Sequence, residues 1–133
     1  MRNRYLNVMK CLIVEDNTAM RRLLRRLVME LAYETYECQD GFEAVIRYEQ
    51  IHPDWVLMDI DLPGQDGIKA TRELLNAAPA AQVLIVTGYD DTEMRHAAGA
   101  AGARGYGLKE NLKERRFWLQ NRRANEISNL KEN

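Results

Sequence analysis

The chain has 133 residues, a length that fits one domain whose core needs no disulfide or metal for stability. Its formal net charge of −1 gives no broad basic field, so direct binding to nucleic acid or to a membrane is not expected. No apolar run approaches the length of a membrane span, and residues 1–9 lack the apolar segment of a signal peptide.

The two cysteines, Cys11 and Cys38, lie in apolar or strand-like runs and are predicted to be buried free thiols. If their strands are parallel neighbours, Cys11 opens one and Cys38 closes the other, which separates the thiols too far for a disulfide. Free thiols suit a reducing compartment, so we expect a cytoplasmic protein.

The first two elements are a strand and an amphipathic helix. The apolar run Lys10–Val14 predicts a buried strand that stops at two carboxylates, Glu15 and Asp16. A helix is predicted from about Thr18 to Leu31, capped by Asp16 or Asn17. Its apolar residues recur at spacings of three and four: Met20, Leu23, Leu24, Leu27, Val28 and Leu31. Its opposite face carries Arg21, Arg22, Arg25 and Arg26, and we interpret this face as solvated rather than as a docking surface.

The middle of the chain predicts a half-exposed strand, a helix and a buried strand. Residues 33–38 alternate aromatic or thiol side chains with polar ones, which is typical of an edge strand. A helix is predicted over residues 42–50, and the apolar run Trp55–Met58 then ends in Asp59. The loop that follows contains Pro63, Gly64 and Gly67.

The remaining elements continue the alternation. The sequence predicts a helix over residues 68–77, a buried strand over 82–87, a weak helix over 90–101, a short strand over 105–109 and a last helix over 111–130. Gly99 weakens the fourth helix, and Gly102 is its predicted cap. Strands and helices that alternate five times predict an α/β fold, a doubly wound parallel sheet with helices on both faces.

Polar side chains follow four of the predicted strands: Glu15 and Asp16, Asp59, Thr87, and Lys109. Because the carboxyl ends of parallel strands lie on one edge of a sheet, these groups should converge there, with Asp59 accessible at the rim. Three close carboxylates repel one another unless a cation joins them. An all-oxygen set suits Mg²⁺, whereas no cysteine or histidine is placed to bind zinc.

The same groups suggest phosphoryl chemistry. Mg²⁺, Lys109 and the Thr87 hydroxyl would neutralise a phosphoryl group held against Asp59, and a carboxylate can accept that group as an acyl phosphate.

Four motifs at these positions resemble the receiver domains of bacterial two-component response regulators, over about residues 10–120. They are the segments 14–17, 57–67, 86–88 and 102–109. The resemblance implies a flavodoxin-like sheet with strand order 2-1-3-4-5 and Asp59 as the phosphoacceptor. It also implies that a histidine kinase or phosphotransfer protein donates the phosphoryl group, and that the acyl phosphate then hydrolyses slowly.

The resemblance also assigns roles to the other residues. Mg²⁺, for which Mn²⁺ can substitute, would be held by Glu15, Asp16, the Asp59 carboxylate and the backbone carbonyl of Asp61. Thr87 and Lys109 would bind the phosphoryl oxygens, and Tyr106 matches an aromatic switch that turns inward when Thr87 moves. Asp61 and Tyr89 occupy positions that influence the rate of hydrolysis.

The chain departs from the family at Glu110, where proline usually follows the lysine in a cis bond. A cis bond to a residue other than proline costs about 2.5–4 kcal/mol, so we expect a trans bond or a reshaped loop. Lys-Glu at this point is familiar among regulators whose output domain is a LuxR-type helix-turn-helix.

The C-terminal segment contains Phe117–Arg123, which superficially resembles part of a homeodomain recognition helix; we reject that reading because one helix cannot fold alone. Residues 1–9 and 121–133 are interpreted as extensions of a domain spanning 10–120. The fourth helix, fifth strand and last helix are a candidate surface for self-association or for an effector domain.

Two alternative functions remain open. Asp59-Ile-Asp61 is similar to the nucleophile pair of haloacid-dehalogenase-type phosphatases, although there the pair normally follows the first strand of a much longer chain. The altered Lys109-Glu110 junction also leaves room for a receiver that docks partners without phosphorylation.

Overall fold

The computed structural model describes residues 8–111 of the chain. The strands are β1 (Lys10–Val14), β2 (Glu34–Cys38), β3 (Trp55–Asp59), β4 (Val83–Thr87) and β5 (Gly105–Leu108). The helices are α1 (Thr18–Met29), α2 (Gly41–Ile51), α3 (Gly67–Ala77) and α4 (Thr92–Ala100), and a 3₁₀ turn spans Lys109–Asn111. All strand pairs are parallel, and the sheet order is β2-β1-β3-β4-β5, as the sequence predicted.

Each of the four α-helices begins at a polar capping residue. Asn17, Asp40, Asp66 and Asp91 each accept a hydrogen bond from a backbone N–H three residues later. Such a cap satisfies an N–H group that the helix itself leaves unpaired, and it stabilises the helix by about 1 kcal/mol. The four caps also fix where the loops at the carboxyl ends of the strands must stop.

Two hydrophobic clusters cover the two faces of the sheet. In β1, Leu12 and Val14 belong to a cluster that includes residues of α2, α3 and α4. Cys11 and Ile13 belong to the other cluster, which includes residues of α1. All ten residues of β3 and β4 are buried, as expected for central strands of a parallel sheet. The polar groups at the ends of these strands are therefore carried on fully buried strands.

Several predicted boundaries differ from the structure. α1 ends at Met29 rather than Leu31, because Ala32 adopts a left-handed φ of 64° and terminates the helix. Leu23, predicted to face the core, is 41% exposed. β5 ends at Leu108, one residue before Lys109. The predicted last helix, with the segment Phe117–Arg123, lies outside the described residues, apart from Asn111 in the 3₁₀ turn.

The cysteines are both buried and free. Parallel pairing places Cys11 opposite Thr35 and Cys38 opposite Val14, so the two thiols are separated along the sheet as predicted. Burial, assisted by the nearby Glu43 and Asp40 charges, raises the pKa of Cys38 to about 12. Within residues 8–111, no helix combines the length and the apolar character that a membrane span requires.

Candidate functional site

Five of the predicted site residues lie at the carboxyl edge of the sheet. Asp59 is the last residue of β3, and Thr87 is the last residue of β4. Glu15 and Asp16 follow β1 directly, and Lys109 follows β5. The register pairs Val14 with Met58, Asp59 with Val86, and Thr87 with Leu108, so the four strands end at nearly the same level.

Three carboxylates form an acidic cluster at this edge. One oxygen from each of Glu15, Asp16 and Asp59 lies within 4.8 Å of the others. The Lys109 ammonium lies 3.3 Å from Asp59 Oδ1 and 3.4 Å from Glu15 Oε1. Residues separated by more than 90 positions in the chain are thereby gathered into one group of three carboxylates and one ammonium.

Burial of the cluster is uneven and corrects one expectation. Glu15 is 1% exposed and Asp59 is 3% exposed, so the expectation that Asp59 lies openly at the rim is wrong. Asp16, by contrast, is exposed and forms the solvent-facing member of the cluster. Of the three carboxylates, Asp16 is therefore the one exposed to water.

The buried charges perturb one another. Burial raises the pKa of Glu15 to about 7, and the neighbouring Asp59 carboxylate adds to the increase while Lys109 opposes it. For Lys109, burial lowers the pKa, but the attraction of Asp59 and Glu15 outweighs that effect and leaves the pKa above its usual value. Without another cation, the Lys109 ammonium is therefore the shared ion-pair partner of two buried carboxylates.

The cluster fits a hard divalent cation. Glu15 Oε2 is a buried oxygen without a hydrogen-bond partner, and Asp59 Oδ1 is a buried oxygen whose contact is the ion pair with Lys109, an arrangement that is costly unless another positive group joins them. All candidate ligands within the cluster are carboxylate oxygens, the donors that Mg²⁺ prefers. A magnesium ion would supply the positive partner that Glu15 Oε2 lacks.

Tyr106 connects β5 to the loop after β4. Tyr106 is 5% exposed, and its hydroxyl donates a 2.6 Å hydrogen bond to the backbone carbonyl of Tyr89. The Tyr89 N–H in turn donates to the Thr87 hydroxyl at 3.2 Å. The Arg95 guanidinium lies 4.6 Å from the centre of the Tyr106 ring, in cation–π geometry. Tyr106 is therefore turned inward and linked to Thr87 through one residue.

The remaining predicted positions are on the surface of the site. Asp61 is exposed, and Tyr89 is 55% exposed. No peptide bond among the described residues is cis, so the Lys109–Glu110 bond is trans and enters a 3₁₀ turn. This agrees with the expectation for a chain that lacks proline at position 110.

Three contacts around the site were not predicted from the sequence. Arg21 donates from Nη1 to the Glu15 carbonyl at 2.9 Å. A Cβ on Gly67 would lie 1.9 Å from the Asp59 carbonyl oxygen, so the backbone after β3 can fold back only against a glycine. Gln65 is buried and donates to Glu73 at 2.7 Å. The glycine after the Asp59 loop was the only one of the three with a visible sequence signal.

Comparison with known proteins identifies the family. Residues 11–116 match the response regulator receiver domain, which is most of the chain. This chain belongs to the response regulator receiver family. Such domains are generally signalling modules rather than catalysts.

Curated relatives include proteins of similar length and longer proteins. The chain is 39% identical over 95 residues to the chemotaxis protein CheY of Halobacterium salinarum, covering 71% of this chain and 79% of that protein. It is 36% identical over 106 residues to the transcriptional regulatory protein DegU of Brevibacillus brevis, covering 78% of this chain but only 45% of DegU.

Solved structures agree. A LuxR-family two-component response regulator from Aurantimonas is 35% identical with a TM-score of 0.74, covering 77% of this chain and 75% of that one. A CheX–CheY–BeF₃–Mg complex from Borrelia burgdorferi has a TM-score of 0.78 at 21% identity, covering 88% and 93% respectively, which shows the shared fold.

Proposed function

We propose that residues 10–120 form a phospho-accepting receiver, in which the Asp59 carboxylate takes a phosphoryl group from a histidine kinase or phosphotransfer protein. The observation that carries the proposal is the acidic cluster with Lys109: a nucleophilic carboxylate at a strand end, held 3.3 Å from an ammonium and within 4.8 Å of two further carboxylates. Phosphoryl transfer requires mainly such positioning and charge neutralisation.

The reaction forms a bond between an Asp59 oxygen and phosphorus while the donor's bond to phosphorus breaks, which leaves an acyl phosphate. Lys109 is already paired with Asp59. Its ammonium is therefore close enough to bind the phosphoryl oxygens once the group is attached to Asp59. The Thr87 hydroxyl, at the end of the adjacent strand, supplies a second donor. The buried position of Asp59 limits access of water to the product.

Glu15, Asp16 and Asp59 would hold Mg²⁺, together with the backbone carbonyl of Asp61, and Mn²⁺ would substitute for it. When bound, the cation neutralises charge on the phosphoryl oxygens. The unpartnered Oε2 of Glu15 and the close approach of the three carboxylates support this assignment.

Occupation of Asp59 would draw on the Thr87 hydroxyl and thereby shift its link to Tyr89 and Tyr106. The signal would then reach α4 and β5, the surface proposed for self-association or for an effector domain. The LuxR-family neighbour supports an effector domain of the LuxR type. DegU is a longer transcriptional regulatory protein, and this chain covers less than half of it. Asp61 and Tyr89, exposed beside the site, are proposed to adjust how fast the acyl phosphate hydrolyses.

The proposal is tested by labelling with acetyl phosphate and Mg²⁺, followed by intact-protein mass spectrometry. The wild type should gain one hydroxylamine-sensitive phosphoryl group, as expected of an acyl phosphate. Asp59→Asn should gain none, and persistent labelling of that variant would defeat the assignment.

Asp61→Asn is the matched control, because it removes the neighbouring carboxylate and leaves the backbone carbonyl in place. It should still be labelled. Loss of labelling in this variant, together with turnover of simple phosphate esters by the wild type, would instead favour the haloacid-dehalogenase-type phosphatase.

A further inference from the structure

The polar face of α1 is not uniformly solvated. The Arg25 side chain is 49% exposed, whereas the Arg21 side chain is only 15% exposed. Both guanidinium groups pair with Glu37 of β2, Arg21 at 3.6 Å and Arg25 at 3.7 Å. Arg21 differs from Arg25 because it also reaches the loop between β1 and α1.

Arg21 binds the backbone of Glu15 and Asp16, two of the three residues of the acidic cluster. Its Nη1 donates to the Glu15 carbonyl at 2.9 Å and to the Asp16 carbonyl at 3.4 Å. On the other side, the Glu15 N–H donates to the Cys38 carbonyl at 3.1 Å, which continues the pairing of β1 with β2. The Glu15 backbone is therefore held at both its N–H and its carbonyl.

The start of α1 fixes Arg21 itself. Its N–H donates to the Asn17 carbonyl at 2.9 Å, and the Asn17 side chain caps the same turn. The guanidinium is thus a brace from the first turn of the helix back to the loop that precedes it. A planar guanidinium with several fixed donors suits this task better than a lysine.

We propose that Arg21 is a positioning residue for the divalent cation: it fixes the Glu15–Asp16 backbone so that both carboxylates stay beside Asp59. Three carboxylates within 4.8 Å repel one another before a cation arrives, and a free loop would relax by moving them apart. The Arg21 hydrogen bonds oppose that relaxation. This inference rests on the proposed magnesium site.

The charge of Arg21 and its hydrogen bonds to the loop have opposite expected effects on the affinity for Mg²⁺. A positive charge near a cation site disfavours binding, so removing it would, by electrostatics alone, tighten Mg²⁺ binding. Removing the brace should instead weaken binding, because groups that orient metal ligands typically change affinity by about 10–100-fold. Loss of the charge and loss of the hydrogen bonds therefore predict opposite changes in Mg²⁺ affinity.

The test is the affinity for the metal alone, without any phosphodonor. Free Mn²⁺ is followed by electron paramagnetic resonance, and Mg²⁺ affinity is obtained by competition, in the wild type, Arg21→Met and Arg25→Met. Arg21→Met should bind Mg²⁺ on the order of tenfold more weakly. Arg25→Met removes the same charge and the same Glu37 partner but no loop contact, and should bind as tightly as the wild type or slightly more tightly.

Arg21→Lys serves as the second variant and decides the matter if Arg21→Met does not fold. It keeps the charge but loses the forked geometry, so its affinity should fall several-fold. Wild-type affinity in a folded Arg21→Met or in Arg21→Lys, or equal weakening in Arg25→Met, would overturn the positioning role. If the wild type binds neither metal, the proposed site itself is wrong.

Discussion

At the scale of single residues, the sequence placed the polar groups correctly but could not describe their environment. Strand ends are visible as apolar runs that stop at a carboxylate, hydroxyl or amine, as at Asp59, Thr87 and Lys109. The burial of Asp59 depends on neighbouring loops, and the brace from Arg21 depends on where a long side chain folds back. Neither leaves a periodic signal in the sequence.

Glu15 gives a pH-dependent prediction. Its pKa is raised from 4.5 to about 7, so between those values the metal-free native state binds a proton that the unfolded chain has lost. The free energy of unfolding therefore falls as the pH rises through this window. Glu15→Gln should remove that fall and be more stable than the wild type at pH 8 by about 1–3 kcal/mol.

Urea unfolding at pH 5 and pH 8 with a chelator present measures the effect. The same substitution at Glu49, an exposed residue of α2, is the control and should leave the wild-type pH slope unchanged. If Glu15→Gln keeps the wild-type pH slope, the pKa of Glu15 is not raised in the metal-free protein.

At the scale of elements, the sequence predicted the starts and the ends of the four α-helices equally well, each to within two residues. The starts depend on a capping side chain within one turn, such as Asn17 or Asp91. The ends depend on backbone conformation, as at Ala32, where nothing in the residue type announces a left-handed φ. The predicted cap at Gly102 does adopt a positive φ, of 102°, because glycine permits it.

Substitutions at two glycines test the steric effect and the helix-propensity effect of an added methyl group separately. A Cβ at Gly99, in α4, meets no atom within 4 Å, so Gly99→Ala should stabilise the protein by about 0.5–1 kcal/mol through helix propensity. Gly67→Ala should destabilise it by about 2 kcal/mol or more, because its Cβ collides with the Asp59 carbonyl. Denaturant unfolding of both variants compares them, and equal effects would contradict the backbone geometry after β3.

The contact between α4 and β5 predicts a role for Arg95. Its stacking on Tyr106 and its 2.9 Å ion pair with Asp90 hold the inward ring from the solvent side. Arg95→Ala should therefore lower stability by about 1 kcal/mol and release the Tyr106 ring. The ring resonances of Tyr106 report this directly in NMR spectra.

Asp90→Asn is the control for Arg95, because it removes the ion pair and leaves the stacking. Its Tyr106 resonances should stay close to those of the wild type. If the two variants shift these resonances equally, the ion pair rather than the stacking holds the ring.

At the scale of the whole molecule, the alternation of strands and helices was enough to predict the sheet, because parallel strands with crossover helices allow few arrangements. The strand order followed from the family resemblance rather than from the alternation. Convergence of the site then follows from topology: four parallel strands that end at one edge bring Glu15, Asp59, Thr87 and Lys109 together.

Metal binding should be visible in global stability. A ligand that binds only the native state at ten times its dissociation constant raises the free energy of unfolding by about 1.4 kcal/mol. At that concentration, Mg²⁺ should raise the free energy of unfolding of the wild type by this amount. The increase should be much smaller in Asp16→Asn, which loses the exposed carboxylate of the cluster. Thermal unfolding with and without Mg²⁺ measures this, with Glu49→Gln as a variant that should respond like the wild type.

The most direct test of the account follows Mg²⁺ with beryllofluoride, a phosphoryl mimic, in amide and aromatic NMR spectra of the assigned protein. Resonances of Asp59, Thr87, Tyr106 and Lys109 should shift together when both components are present, and none should shift with beryllofluoride in Asp59→Asn. Unchanged spectra of the wild type would contradict the claim that these distant residues form one magnesium-dependent phosphoryl site.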